Sequence, residues 1–364
     1  MTNSAEFRIA VFEGDGIGAE ITAPVLRLIE RCAARIGGFG LRFVPCAAGA
    51  TVYRDTGSAL PREALATAAA ADAILLAAMG LPSIRYPDGR EITPQIDLRM
   101  ELGLYAGVRP VRPIPGVRPV LADRRAHEID YVIVRESTEG LFAPQAPGTR
   151  KGAHEARETM VITRPISEKL FDFAFALAEK RAGARHVTCV DKANVFQAFA
   201  FFREIFEERA LRHPAIGHSA AYVDAFAMTM VQKPWVIDVA VTENMFGDIL
   251  SDLGAALMGG MGYAPSADIG DAHAVFQPCH GSAPDIAGQG LANPTAMILS
   301  AAMMLGWLGE TKGVTEAIRA SDVLRRATEA SFAQGDLVTC ELGGDAGTAA
   351  VFARVEAELQ RLDV

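Results

Sequence analysis

Cysteine is sparse in this sequence: Cys32, Cys46, Cys189, Cys279 and Cys340 are scattered over 364 residues, and no two stand in a C-x-x-C spacing. That scatter excludes a disulfide framework and a thiolate metal site, and it is what a reduced, cytoplasmic protein shows. Long apolar runs are also missing. The stretch from Ala296 to Leu308 is too short to span a bilayer, and the N-terminal MTNSAEFRIAVF lacks the basic segment and apolar core of a secretion signal. No targeting or membrane anchoring is expected. Positive charge is in deficit, with 35 basic against 44 acidic residues and a formal charge of -9. Nothing in that balance would hold a nucleic-acid backbone or an anionic membrane. Repeats and low-complexity segments are absent.

What is present is a globular composition, 50% hydrophobic and 22% charged, which excludes disorder. A single core stops growing near roughly 250–300 residues, so two domains and one cleft are expected. The opening reads as an apolar strand (Ile9 to Phe12), a glycine turn (Gly14, Gly16, Gly18) and an amphipathic helix through Val25, Leu26 and Ile29. A strand at 41–45, a helix from Arg62 to Ala70 and an apolar strand at 73–78 continue the alternation. This is α/β sequence with parallel strands and helices on both faces. A proline-rich connector follows (Pro110, Pro113, Pro115, Pro119), read as a crossing between domains that cannot lie in a central strand. Strands are then expected at 130–136, 186–192 and 236–244. Helices are expected at 167–182, 194–210, from Phe246, at 295–308 and at 347–361. The glycine- and proline-bearing stretch 140–152 reads as an exposed arm, and 259–294 as a loop.

The GDGIG turn lacks the G-x-G-x-x-G frame, and no acidic residue ends the second strand, so it reads as a tight structural turn rather than a dinucleotide site. Asp248 and Asp252 are four apart on an expected helix and face the same side. Two readings stand: a solvated face carrying a small repulsion, or a pair of hard oxygen ligands for a divalent cation, which the apolar surroundings favour. Asp224 is either a third ligand or a helix cap. Arg99, Arg109 and Arg135 each sit among residues that ought to be interior. Together they suggest a pocket for a di- or tricarboxylate, because guanidinium binds carboxylate bidentately and stays charged when desolvated. Lys192 ends an apolar strand, as a base with a depressed pKa or as a snorkelling surface lysine. The loop His280-Gly281-Ser282-Ala283-Pro284-Asp285-Ile286 offers a carboxylate for a ribose diol and backbone N–H groups for phosphate, or is a surface turn with no ligand.

Six segments, GDGIG (14–18), LRMELGLYAGVRPV (98–111), VRESTEG (134–140), VDKANV (190–195), TENMFGDILSD (242–252) and HGSAPDIAGQGLANPTAMILSAAMML (280–305), span nearly the whole chain. Taken together and in this order they resemble the metal-dependent β-decarboxylating dehydrogenases, the isocitrate/isopropylmalate dehydrogenase family, which includes homoisocitrate and tartrate/D-malate dehydrogenases. The resemblance implies an isopropylmalate dehydrogenase-like fold of two α/β domains. Residues 1–104 and 259–364 would form a discontinuous, cofactor-side first domain. Residues 105–258 would form the metal-side and dimerisation domain, with an arm at about 140–164. It implies a homodimer with shared active sites. Arg99, Arg109 and Arg135 fall on the substrate-binding arginines of the family, and Asp224, Asp248 and Asp252 on its Mg2+ or Mn2+ ligands. Lys192 and Asp224 would reach the site from the other subunit. The 280–286 loop and Asn293 match the adenosine-binding segment, and Asp285-Ile286 resembles the NAD form. In the family this segment, not a Rossmann fingerprint, binds the cofactor.

The activity so implied is oxidation of a (2R)-malate-type hydroxy di- or tricarboxylate by NAD, with Lys192 as base, followed by decarboxylation. Two positions depart from the family. Phe142 stands where a tyrosine takes part in protonating the enol, and Gln277 stands where relatives carry glutamate beside the nicotinamide. Decarboxylation with another proton source, oxidation without decarboxylation, and a redox-silent protein that binds metal and dicarboxylate all remain open at this point. Thr93 and Gln95, just before the first arginine, could hydrogen-bond a polar C3 substituent, while Ile92 and Ile96 favour an apolar one. A buried amide facing an isopropyl group would leave polar atoms unpaired, at roughly 1–3 kcal/mol.

Overall fold

The computed structural model describes residues 5–142 and 148–363. Its strands are β1 (Ala5–Gly14), β2 (Phe39–Cys46), β3 (Ala73–Ala78), β4 (Ala106–Val111), β5 (Tyr131–Glu136), β6 (Thr149–Lys151), β7 (Glu155–Arg157), β8 (His186–Asp191), β9 (Gly217–Tyr222), β10 (Val239–Thr242), β11 (Pro265–Ile269) and β12 (Ala274–Pro278). Ten of them form one sheet in the order β2-β1-β3-β12-β11-β4-β5-β10-β8-β9. The α/β class expected from the sequence is what forms. β3 and β5 are buried at every position because both their faces are covered, and β3 is accordingly apolar throughout.

The parallel strands expected at the start of the chain form, with β1 pairing parallel to β2 and to β3, and the sheet as a whole is mixed. Both ends are parallel, but β12, β11, β4 and β5 run antiparallel to one another through the centre. The stretch 259–294, expected as loop, contains β11 and β12. The proline-rich connector likewise contains the central strand β4, with Pro110 inside it. Pro110 is tolerated because β11 pairs only with Ala106 to Val108, leaving Pro110 a single neighbouring strand. Further elements not expected from the sequence are the helices Ala50–Thr56, Pro94–Glu101, Val223–Gln232 and Thr315–Phe332 and the strand β9.

Helix Thr295–Lys312 is buried along most of its length and packs on β11 and β12. Helices Thr315–Phe332 and Thr348–Arg361 then pack on it or on each other, and all three contact helix Gly18–Ile36. The end of the chain thus returns to its beginning. Part of the expected arm, residues 143–147, lies outside the described residues; the remainder includes the exposed β6–β7 hairpin. Among the described residues no helix is long and apolar enough to cross a membrane, and all five cysteines are unpaired.

Candidate active site

The antiparallel register of the central strands gathers the arginines. Arg135 of β5 lies opposite Gly107 of β4, Arg109 is two residues along from Gly107, and Asp268 of β11 also lies opposite Gly107. Directly paired residues, and residues two apart, share a face. Arg109, Arg135 and Asp268 therefore project together, and Arg99 joins them from the last turn of helix Pro94–Glu101. The three arginines line one recess of ≈ 210 Å³ with Gln95, Ile96, Phe142, Asp248, Asp252, Gln277, His280 and Gly281.

All three arginines are largely buried, and each is anchored. Arg135 donates from Nε and Nη2 to Asn244 Oδ1, at 2.9 and 2.7 Å, and from Nη1 to Asp248. Gly247 makes room for it, since a Cβ there would sit 2.5 Å from Arg135 Cγ. Burial and the nearby Arg99 charge lower Arg135 to about 10, which leaves it charged at neutral pH. Arg99 Nε donates to Asp268 Oδ2 at 3.0 Å and Arg109 Nη2 to Asp268 Oδ1 at 3.4 Å. Burial opposes the charge on Arg109 most strongly, but Asp268 together with Cys279, Asp248 and Asp252 outweighs it and raises the group above its ordinary value. Arg109 Nη1 is buried and has no partner among the described residues, and neither has Gln95 Oε1 or His280 Nε2. Three unpaired polar atoms around one recess mark a place for a polar ligand.

Asp248 and Asp252 stand one turn apart on helix Asn244–Met258, as the spacing predicts. Desolvation first, and then the Asp248 charge, raise the Asp252 carboxyl. The third expected ligand is elsewhere: Asp224, in the first turn of helix Val223–Gln232, is exposed and accepts from Lys192 Nζ at 2.7 Å. Neither Lys192 nor Asp224 lines the recess. Among the described residues no three histidine, cysteine or acidic side chains of one chain are placed to hold a metal ion. Thr93 also lies outside the recess, lining an adjoining cavity with Ile96 and Phe142. Ile92 is wholly buried in a small cluster with Ala50 and Ala59 and faces neither cavity.

The 280–286 loop closes one side of the recess. Gly16 has φ +59°, and a Cβ there would lie 2.0 Å from the Ser282 carbonyl oxygen, so only glycine lets the two segments touch. Ile17 N donates to Ser282 O at 2.8 Å, Asp15 N to Ala78 O at 2.8 Å and Gly18 N to Asp15 O at 3.0 Å, so these three N–H groups of the turn are used within the fold. The Asp15 carboxylate accepts from the backbone N–H of Ala50, Thr51 and Gly80. A structural turn is what forms. Asp285 is exposed. Asn293 is committed elsewhere: its Oδ1 accepts from Thr295 N and Oγ1, and its Nδ2 donates to Glu341.

Sequence reasoning missed Asp268. It is wholly buried and accepts from Arg99, Arg109, Ser137 and Gln277. Its one signal was a lone aspartate in PSADIG, in a stretch read as loop.

Set against known proteins, residues 8–355 match the family model "Isocitrate/isopropylmalate dehydrogenase". The chain is 43% identical over 345 residues to a 3-isopropylmalate/3-methylmalate dehydrogenase of Methanocaldococcus jannaschii, covering 94% of this chain and 95% of that one. It is 40% identical over 360 residues to an isocitrate/homoisocitrate dehydrogenase of Thermus thermophilus, covering 98% and 99%. The solved isocitrate dehydrogenase of Methylococcus capsulatus superposes with a TM-score of 0.84 at 35% identity, over 97% of this chain and 99% of that one. The arginine recess therefore lies in an oxidoreductase, and the chain belongs to the isocitrate/isopropylmalate dehydrogenase family of β-decarboxylating dehydrogenases.

Proposed function

We propose that this protein oxidises a (2R)-malate-type 2-hydroxy acid with NAD and Mg2+ or Mn2+, in a homodimer whose active sites are shared between subunits. The observation that carries the substrate class is Arg109 Nη1, buried and unpartnered between two further guanidiniums. A substrate carboxylate satisfies it bidentately and removes the cost of an unpaired buried donor. The relatives named for isopropylmalate, methylmalate, isocitrate and homoisocitrate support an acid with a malate core.

The residues present fit a divalent cation if two subunits contribute. Asp248 and Asp252 supply two adjacent carboxylates, and Asp224 of the partner subunit would supply the third, bringing Lys192 with it. Two helices carry exposed apolar residues suited to that pairing: Met228 and Val231 on Val223–Gln232, and Ile249 on Asn244–Met258, the last 61% exposed. The two-domain division at 104/105 and 258/259 fits as well, since the recess takes residues from both sides of each boundary. NAD would meet the exposed Asp285 carboxylate, while Ser282 and Asn293 hold the loop in shape.

When bound, the cation offsets negative charge developing on the substrate oxygen and the nicotinamide accepts the hydride. The arginines hold the carboxylates in one orientation. Lys192 of the partner subunit takes the C2 hydroxyl proton as the C2–H hydride leaves. If decarboxylation follows, C3 must gain a proton, and Phe142, whose ring lies 5.3 Å from the Arg135 guanidinium, has none to give.

A second reading, oxidation that stops at the β-keto acid, is favoured by that same phenylalanine. Incubating the protein with D-malate, tartrate, isopropylmalate, isocitrate and homoisocitrate, each with NAD or NADP and Mn2+, tests the reading. NADH from at least one acid is expected. Metal-dependent thermal stabilisation by an acid that yields no NADH or NADPH would favour the redox-silent alternative.

A further inference from the structure

Asp268 is the most completely enclosed charge beside the arginine recess. Its side chain has no solvent exposure, and both its oxygens are used: Oδ1 accepts from Arg109 Nη2 at 3.4 Å and Ser137 Oγ at 3.2 Å, Oδ2 from Arg99 Nε at 3.0 Å and Gln277 Nε2 at 2.8 Å. Gly107 makes the space, because a Cβ there would lie 2.6 Å from Ser137 Oγ and 3.1 Å from Asp268 Oδ1. Burial alone would push the carboxyl up, yet Arg99, Arg109 and Arg135 hold it below the usual carboxylate range, so it is an anion at neutral pH.

Charge balance gives this buried anion a consequence for the substrate. Three guanidiniums face three carboxylates, those of Asp248, Asp252 and Asp268, so the recess without a cation is formally neutral. Asp224 and Lys192 of the partner subunit enter as an ion pair and add no net charge, so a bound divalent cation leaves two positive charges, which a dicarboxylate neutralises. A third substrate carboxylate would meet Arg99 and Arg109 already sharing an anion at close range in a poorly screened interior.

We propose that Asp268 is a specificity-determining positioning residue: it orients Arg99 and Arg109 toward the recess and consumes enough of their charge that the site selects dicarboxylates over tricarboxylates. This rests on the malate-type reading above and narrows it. Gln277 belongs to the same device, since its amide donates to Asp268 where a second acid would repel it.

Equilibrium titration by calorimetry, with Mn2+ present and no nicotinamide, reads the proposal without turnover. Wild type is expected to bind D-malate at least about tenfold more tightly than isocitrate. In Asp268→Asn the ratio of the two affinities is expected to move by at least about tenfold toward isocitrate, and Asp268→Glu is expected to keep the wild-type order. A purely structural aspartate would weaken both acids alike in Asp268→Asn, and an unchanged ratio overturns the proposal. Wild type preferring isocitrate overturns it without any variant. If wild type binds neither acid, the malate-type reading fails as well, which separates that outcome from a failure of the Asp268 assignment alone.

Discussion

Lys192 donates to Asp224 across 2.7 Å, and the pair stands apart from the recess that holds Arg99, Arg109 and Arg135. The hydrogen bond from Lys192 holds the Asp224 carboxyl below its ordinary value, so it stays ionised. On the reading proposed above, a base and a metal ligand come as one preassembled unit, half of a site whose other half is the arginine recess with Asp248 and Asp252. Lys192→Met should lower kcat by about 10²–10⁴-fold, the usual contribution of a general base. KM for the acid should change by much less, because the arginines remain. Steady-state kinetics would contradict this role if KM rose and kcat held.

Gln95 leaves its Oε1 buried and unpartnered at the edge of the recess. An unpaired buried carbonyl costs roughly 1–3 kcal/mol, and an apolar substrate group would not relieve it. Gln95→Leu is expected to raise kcat/KM for isopropylmalate relative to tartrate by about tenfold or more, with a ligand-free melting temperature no lower than wild type. A ratio that stays put would show that the amide does not face the C3 substituent.

Phe142 lies against the Arg135 guanidinium and cannot donate a proton. Phe142→Tyr places a phenolic hydroxyl there and is expected to raise the yield of CO2 per NADH. Equal yields from both proteins would remove Phe142 from any account of the decarboxylation step.

Glu136 is buried beside the site, accepting from Thr138 N and Oγ1 and from Glu139 N. Burial outweighs those hydrogen bonds and pushes it up to about 7. A carboxyl raised in the folded state binds its proton more tightly there than in the unfolded chain. Stability should therefore fall as pH rises from the unfolded value through about 7, by roughly 3 kcal/mol at most. Denaturation midpoints across that window should slope downward more steeply in wild type than in Glu136→Gln, whatever the variant's absolute stability. A parallel slope in both would assign the dependence to another group.

Much of the fold was legible because its strands carry apolar runs with both faces covered, as at 73–78 and 131–134. The centre of the sheet was not. β11 and β12 carry Ser266, Asp268 and Gln277, polar side chains that read as loop until the arginines that pair with Asp268 are seen beside it. Pro110 masked β4, since the missing neighbour that makes a strand proline harmless is a fact of topology. Arg99, Arg109, Arg135, Asp248 and Asp252 could be picked out as charges in apolar surroundings, and the fold brings them together. Thr93 and Ile92 were less legible: one residue of shift along the approach to a helix turned the first to a neighbouring cavity and the second into a core. The place of Lys192 and Asp224 outside the recess is invisible to spacing, which does not say which residues the fold brings to one cavity.

The central claim, one active site built from two subunits, is tested most directly by mixing two inactive proteins. Lys192→Ala lacks the base and Arg109→Ala lacks the substrate anchor. Unfolded together and refolded, they should form mixed dimers in which one of the two sites is intact, and NADH production should return to a level neither parent shows. If the mixture exchanges subunits yet stays as inactive as its parents, Lys192 and Arg109 serve the same chain and the shared site is wrong.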